Sequence, residues 1–181
     1  MIIAINGTSG AGKDVLGNFL IKELSPAFPN LKIKKFAEGV YSLFEKETGK
    51  KWQELDRKTK EELRPKMIEI AENYKKIKGQ DVFAKSLLNE YTPNNNWIIT
   101  DLRFPVEYNE LIKKDNVFLI KLLTKNYTKE NKSVDTLLID DVTYPFDYII
   151  EYRKGNFIPH NILSKSAKNI SKLIYYGKFG R

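Results

Sequence analysis

The chain of 181 residues has no cysteine, which excludes disulfides, thiol nucleophiles and thiolate metal sites. It has a single histidine, His160, and only five arginines (57, 64, 103, 153 and 181) among 31 Lys and Arg. No apolar run approaches the roughly 20 residues that span a bilayer. The N-terminus has neither a basic n-region nor a small-residue cleavage site, so no signal peptide is expected. No internal repeat and no linker divides the sequence, which predicts one domain over residues 1–181. What is present suits a globular protein, with 41% hydrophobic and 12% aromatic residues and length enough to bury a core. A net charge of +8 points to anionic partners. The surplus is almost all lysine, the usual solvated cation. Arginine's planar fork suits bidentate phosphate recognition, so the few arginines inside ordered segments matter most. His160 follows Pro159 at a helix start, where a cap or surface role is expected rather than proton transfer.

Residues 2–6 read as a short buried strand, followed by a helix over about Lys13–Leu24 with Val15, Leu16, Phe19, Leu20 and Leu24 on its apolar stripe. A second strand is predicted over Lys32–Phe36 and a helix over Gly39–Lys46. In the charged stretch 50–66, Thr59 with Glu62 forms a capping box, while Pro65 implies a kink or a true start near Arg64. The stripe Leu63, Met67, Ile70, Ala71, Tyr74 and Ile77 runs to Lys78, and Asp81 can cap the next helix. Strands are predicted at 97–101, 117–123 and 148–152, with a helix around 106–113 between the first two. Residues 125–133 form a polar loop. A C-terminal helix presents Ile162, Leu163, Ala167, Ile170, Leu173 and Ile174, a face expected to dock on the sheet rather than on a membrane. Apolar strands alternating with helices predict an α/β fold with a parallel sheet covered on both faces.

Residues 7–14, G-T-S-G-A-G-K-D, fit the phosphate-cradling Walker A pattern G-x-x-x-x-G-K, with the required strand before it and helix after it. Glycines let backbone amides turn toward phosphate oxygens. The helix N-terminus adds its dipole, and Lys13 supplies a point charge for the β- and γ-phosphates. The next position ordinarily carries a Ser or Thr hydroxyl that holds magnesium; here it is Asp14. A carboxylate in a first helical turn is favourable by itself. Beside a triphosphate it needs an intervening cation, and magnesium prefers oxygen ligands. Both roles stay open on the sequence.

The strand WIITD ends at Asp101, and active sites of parallel sheets form at the carboxyl ends of strands. An acid there binds magnesium or positions the nucleophile. Arg103 follows and can clamp an acceptor phosphate, with Phe104 and Glu107 one helical turn on. The alternative is a surface Asp–Arg–Glu cluster that stabilises the following helix.

The segments SGAGKD, KKFAEGV and WIITDLRFPVEYNEL together resemble the phage and viral deoxynucleoside monophosphate kinases, members of the P-loop kinase superfamily. These carry G-K-D, and a D-x-R-F-x-x-E segment matched by Asp101, Arg103, Phe104 and Glu107. YIIEYRKGN is similar to their last strand and glycine turn. The resemblance covers nearly the whole chain, with residues 50–80 and 124–145 matching loosely. It implies a three-layer P-loop NTPase fold with sheet order 2-3-1-4-5, an acceptor-binding helical segment over about 38–91 and a lid over about 124–145. It implies ATP- and Mg2+-dependent phosphorylation of a dNMP to a dNDP in the cytoplasm, that of the host if the source is a phage or virus.

By the same resemblance, ATP is bound by Gly7, Thr8, Ser9, Gly10, Ala11, Gly12, Lys13, Asp14 and Val15, and the metal by Asp14 and Asp101. The acceptor is lined by Lys34, Lys35, Phe36, Ala37, Arg64, Arg103 and Glu107, and catalysis rests on Lys13, Asp101, Arg103 and Arg64. The lid segment has Lys125, Lys129 and Lys132 but no arginine, which makes Arg153 the alternative source of charge at the ATP. No side-chain base is required, because the attacking group is already a phosphate oxygen. No membrane or specific nucleic-acid partner is expected, and a homodimer is an open alternative to a monomer.

Three other readings compete. A GTP switch would need N-K-x-D, but in N-K-S-V-D over 131–135 the aspartate falls one position late. A basic nucleic-acid binder would use its aromatics on the surface, whereas most of them fall on core stripes here. Adenylate-type and small-molecule P-loop kinases share the loop and differ in acceptor.

Overall fold

The computed structural model describes residues 1–125, 144–153 and 158–177. Five strands, β1 (Ile2–Gly7), β2 (Leu31–Lys34), β3 (Asn96–Leu102), β4 (Val117–Lys125) and β5 (Tyr148–Arg153), form one sheet in the order 2-3-1-4-5. Every pairing is parallel. The central strand shows why so apolar a segment is needed. Ile3 and Ile5 face one core while Ile2 and Ala4 face the other, and all four are fully buried. A strand covered on both faces has no polar side to spare.

On the first face lie α1 (Lys13–Leu24) and α6 (His160–Tyr175). Leu16, Leu20 and Leu24 of α1 meet Leu163, Ala167, Ile170 and Ile174 of α6 there. The C-terminal helix thus docks as its stripe predicts, except that Ile162 is exposed. On the second face lie α4 (Val82–Asn89) and α5 (Pro105–Leu111), which contribute Ala84, Leu87, Leu88, Tyr108 and Leu111. Between β2 and α4, α2 (Glu38–Thr48), a 3-10 turn (Trp52–Glu54) and the long α3 (Arg57–Lys78) close over a small core of Phe44, Trp52 and Ile70.

The start of α3 differs from the expected capping box. Asp56 is the N-cap, its carboxylate accepting from Thr59 N (3.0 Å) and Thr59 Oγ1 (2.7 Å). Thr59 is therefore a donor inside the helix rather than its cap. Pro65 lies within α3 and does not start it. The hydrogen bond it forfeits would go to the carbonyl of Glu61, an exposed residue that water can satisfy. Ile77 is 77% exposed, so the apolar stripe ends earlier than its spacing suggests. Asp81 occupies the N-cap of α4 without a capping bond and pairs instead with Lys85 (2.6 Å). Strand β2 stops at Lys34, because Lys35 N turns to Glu38 Oε1 (2.9 Å) and the two amides after it leave the ladder for a carboxylate on β3.

That carboxylate belongs to an irregularity in β3. Ala4 pairs with Ile99 but Asn6 pairs with Leu102, so the register slips by one residue. Ile99 and Leu102 consequently both reach the second core, and Thr100 and Asp101 lie between them. Asn6 holds the slipped strand by donating from Nδ2 to Leu102 O (3.0 Å). Bulges re-aim side chains, and this one divides Thr100 from Asp101.

Candidate active site

The loop between β1 and α1 turns on two glycines with positive φ, Gly10 at 74° and Gly12 at 81°. Gly12 is the N-cap of α1, and a Cβ there would lie 2.9 Å from both Ile158 and Leu163. A side chain there would be strained by the left-handed backbone and would force Ile158 and Leu163 to shift. In the first turns of α1, a Cβ at Gly17 would lie 2.8 Å from Thr100 Cγ2, so the helix backbone packs directly on the side chains of the sheet there. Ala11 is buried, and its carbonyl accepts from the Tyr152 hydroxyl on β5. Thr8 Oγ1 lies 3.3 Å from Thr124 Oγ1 on β4. The loop is thus braced by two strands on its far side. Ser9 and Gly10 are exposed, whereas Val15 packs against the first core.

Lys13 is nearly buried, and its ammonium donates to Gly7 O (2.8 Å) and Thr8 O (2.9 Å). Burial lowers its pKa to about 8, and the Arg103 charge adds to the effect. Asp14 projects from the same turn. Its Oδ1 accepts from Thr100 Oγ1 (2.6 Å) and pairs with Lys35 Nζ (2.9 Å). Burial pushes this carboxyl up, but the bonds from Thr100 and Lys35 outweigh it and hold it below the usual range.

Asp101 turns the other way, accepting from Phe36 N at Oδ1 (2.9 Å) and Ala37 N at Oδ2 (3.0 Å). It clips the segment after β2 to the end of β3. Burial raises its pKa. Glu107 is buried, and Oε2 takes the amides of Arg103 (2.7 Å) and Phe104 (2.9 Å). Its pKa is pushed up to about 8 by burial and by the nearby Asp101 charge. Glu107 therefore braces the turn carrying Arg103, and its oxygen is spent on the backbone rather than aimed at an acceptor. The Arg103 guanidinium is half-buried and has no side-chain partner among the described residues.

Lys13, Asp14, Lys35, Asp101 and Arg103 share one field, since their charges act on each other's protonation. The other candidates are placed differently. Lys34 pairs with Glu38 (3.0 Å) and Glu90 (3.4 Å). The ring of Phe36 is buried in the second core, so only its amide takes part. Arg64 is exposed on α3 with no partner among the described residues. It lies three turns before Lys75, about 16 Å along the helix. Arg153 ends β5, exposed, at the loop's end of the sheet. Most of the lid segment, residues 126–143, falls outside the described residues.

Four contributors carry no motif. Thr100 and Tyr152 are legible only from strand alternation. Lys75 lies over the Phe104 ring at 4.8 Å. The half-buried Tyr41 ring stacks on Trp52 (centroids 6.2 Å apart). Burial pushes the Tyr41 phenol up, and Asp101, Lys35, Arg103 and Asp14 all act on it. Among the described residues no three or more His, Asp or Glu side chains gather into a metal cage. One or two carboxylates suffice for a magnesium ion held mainly by phosphates and water, and the exposed Asp14 fits that need. No described helix is long and apolar enough to cross a membrane.

A glycine loop between the central strand and its helix, with a lysine at the loop's end and cations across the sheet from it, defines a nucleotide-binding phosphotransferase of the P-loop kinase type. The phosphomevalonate kinase family model matches residues 5–117. That is more than half of the chain, and the chain belongs to this family. No curated protein matches it in sequence. Among solved structures it is similar to a gluconokinase from Sinorhizobium meliloti 1021, at 7% identity and a TM-score of 0.47, over 98% of this chain and 97% of the other.

Proposed function

We propose that the protein transfers the γ-phosphoryl group of ATP to a phosphomonoester, converting a deoxynucleoside monophosphate to its diphosphate in the cytoplasm. The observation that carries this reading is the convergence of Lys13, Lys35 and Arg103 at the carboxyl ends of β1–β3, flanked by the half-buried rings of Tyr41 and Phe104. Two anionic reactants need cations between them, and a flat base suits aromatic walls. The motif resemblance supports the same acceptor. A phosphorylated mevalonate is the second reading, favoured by the family match over residues 5–117.

The chemistry is common to both. The loop amides and Lys13 hold the donor phosphates, and Arg103 and Lys35 receive the acceptor phosphate. The nucleophile is an anionic oxygen, so positioning and charge neutralisation supply the catalysis. Asp101 and Glu107, both engaged by backbone amides, hold the acceptor segment and the Arg103 turn in place. Magnesium would be held by Asp14 and would neutralise charge on the β- and γ-phosphates, whereas both oxygens of Asp101, the other expected ligand, are already engaged by the amides of Phe36 and Ala37.

The test is ADP release with Mg·ATP against a panel of dNMPs, NMPs and phosphomevalonate. Turnover stimulated by a dNMP is expected. Stimulation by phosphomevalonate alone selects the second reading, and no response to any nucleoside monophosphate overturns the first. Sedimentation of the same preparation distinguishes a monomer from a homodimer.

A further inference from the structure

Position 14 follows the loop lysine, where the metal-holding hydroxyl ordinarily stands. Its carboxylate is already in use. Oδ1 takes the Thr100 hydroxyl at 2.6 Å and the Lys35 ammonium at 2.9 Å. Oδ2 carries no hydrogen bond among the described residues. The side chains are 63% exposed for Asp14 and 34% for Lys35, so the pair is open to a ligand. Lys35 cannot leave as a whole, because Asp101 holds the next two amides; only its side chain can swing. Lys34 does not compete for Asp14, being paired with Glu38 and Glu90.

We infer that Asp14 is a shared ligand, which holds the Lys35 ammonium in the free protein and releases it toward the acceptor phosphate when magnesium-nucleotide takes the carboxylate. This rests on the kinase reading above. The physical basis is competition. A half-exposed ion pair is weak, so a divalent ion backed by a triphosphate displaces the lysine readily. Linkage then requires the converse. An acceptor anion that draws Lys35 away frees Asp14 and tightens magnesium-nucleotide by the same factor. Lys35 thereby becomes a positioning residue that couples the two substrates, and the aspartate in G-K-D is what makes the coupling possible. A serine or threonine hydroxyl carries no charge with which to hold a lysine.

The experiment needs no acceptor and no turnover. A non-hydrolysable ATP analogue is titrated calorimetrically into the protein with magnesium and with EDTA. The ratio of the two dissociation constants gives the metal's contribution. In Lys35→Met, with the competitor gone, this ratio should rise about two- to fivefold, the span expected for a half-exposed pair. In Asp14→Asn it should fall below wild type, and adding Lys35→Met to that variant should change nothing further. Thermal melting checks that each variant is folded.

An unchanged ratio in Lys35→Met overturns the inference. So does an equal rise in the Asp14→Asn background, which would reveal a through-space charge effect. If the wild type binds the analogue but its ratio does not depend on Asp14, the shared-ligand role fails while the kinase reading stands. If it binds no analogue at all, both fall.

Discussion

The phosphate-loop side of this protein and the α2–α3 region, its proposed acceptor segment, are built to different standards. Beneath the phosphate loop, Ile3, Ile5, Leu16, Leu20, Ile98 and Leu163 are all fully buried in one large core. The acceptor segment closes over three buried residues, Phe44, Trp52 and Ile70, and leaves Ile68 and Ile77 exposed on α3. Local opening is cheapest where buried apolar contact is sparse. By this packing the phosphate-loop side should open less readily than α2 and α3, which in the proposed function would adjust to an acceptor. A kinase gains from this division, since a loose phosphate cradle costs catalysis and a closing acceptor segment excludes water.

The largest effect should come from Lys13→Ala. Its ammonium is the one buried cation in the loop, and loss of such a preorganised group costs about 10³-fold in kcat. The melting transition should persist, because the Gly7 and Thr8 carbonyls that it bonds lie beside solvent-exposed Ser9. Turnover like that of the wild type in a folded variant would remove the loop from the mechanism.

Paired truncations of the two cores test the comparison itself. Leu20→Ala on the donor side should cost about 2–5 kcal/mol in global stability. Trp52→Ala removes the ring between Phe44 and Tyr41. It should chiefly raise the acceptor KM and speed amide exchange in α2 and α3, with a smaller shift of the global transition. Equal losses in the two variants would show that the halves unfold as one unit, and would break the distinction.

How far the two regions are legible in the sequence follows the same line. The strand–loop–helix from Ile2 to Leu24 is local, and each part signals itself through apolar period, glycine spacing and caps. The sheet order came from a family resemblance rather than from periodicity, and the strands of the structure follow it. What escaped is long-range or ambiguous. Asp14 and Lys35 are 21 residues apart and meet only because the segment after β2 is clipped to Asp101. The slip in β3 has no sequence mark, so Thr100 and Asp101 could not be assigned to opposite partners. Glu107 matches a motif, but the motif does not say that the carboxylate serves the backbone. At the start of α3, Asp56 and Thr59 both carry a capping side chain three residues apart, and the sequence does not rank them; in the structure Thr59 donates to Asp56. Residues 126–143, where a lid is expected, are not described.

Glu107→Gln sharpens the view that the junction between the regions is braced by a buried acid. The folded pKa of Glu107, about 8, lies above its ordinary 4.5. The native state therefore holds the proton more tightly than the unfolded chain does. Its contribution is fully present below about pH 4.5 and is lost as pH rises toward 8. The wild-type melting temperature should fall across that window, and Glu107→Gln, which keeps the acceptor oxygen for Arg103 N and Phe104 N, should flatten part of the fall. Asp101, raised in the same direction, leaves a residue of the slope in the variant. Parallel curves would mean that Glu107 is already ionised at neutral pH.

The smallest effect lies in proton traffic at the donor site. With its pKa lowered to about 8 by burial, Lys13 carries its proton in about half of the molecules at pH 8. Triphosphate oxygens favour the charged ammonium, so nucleotide binding should raise that pKa and draw a proton from solution. Calorimetric titration in two buffers of different ionisation enthalpy would read an uptake of up to about half a proton per site at pH 8, fading to none near pH 6.5, where Lys13 is already charged. The acceptor segment has no lysine lowered in this way, because Lys34 and Lys35 are both held charged by carboxylates. Acceptor binding should then leave the proton balance nearly unchanged. Equal uptake by both ligands would show that the two regions share one electrostatic environment and that only their packing differs.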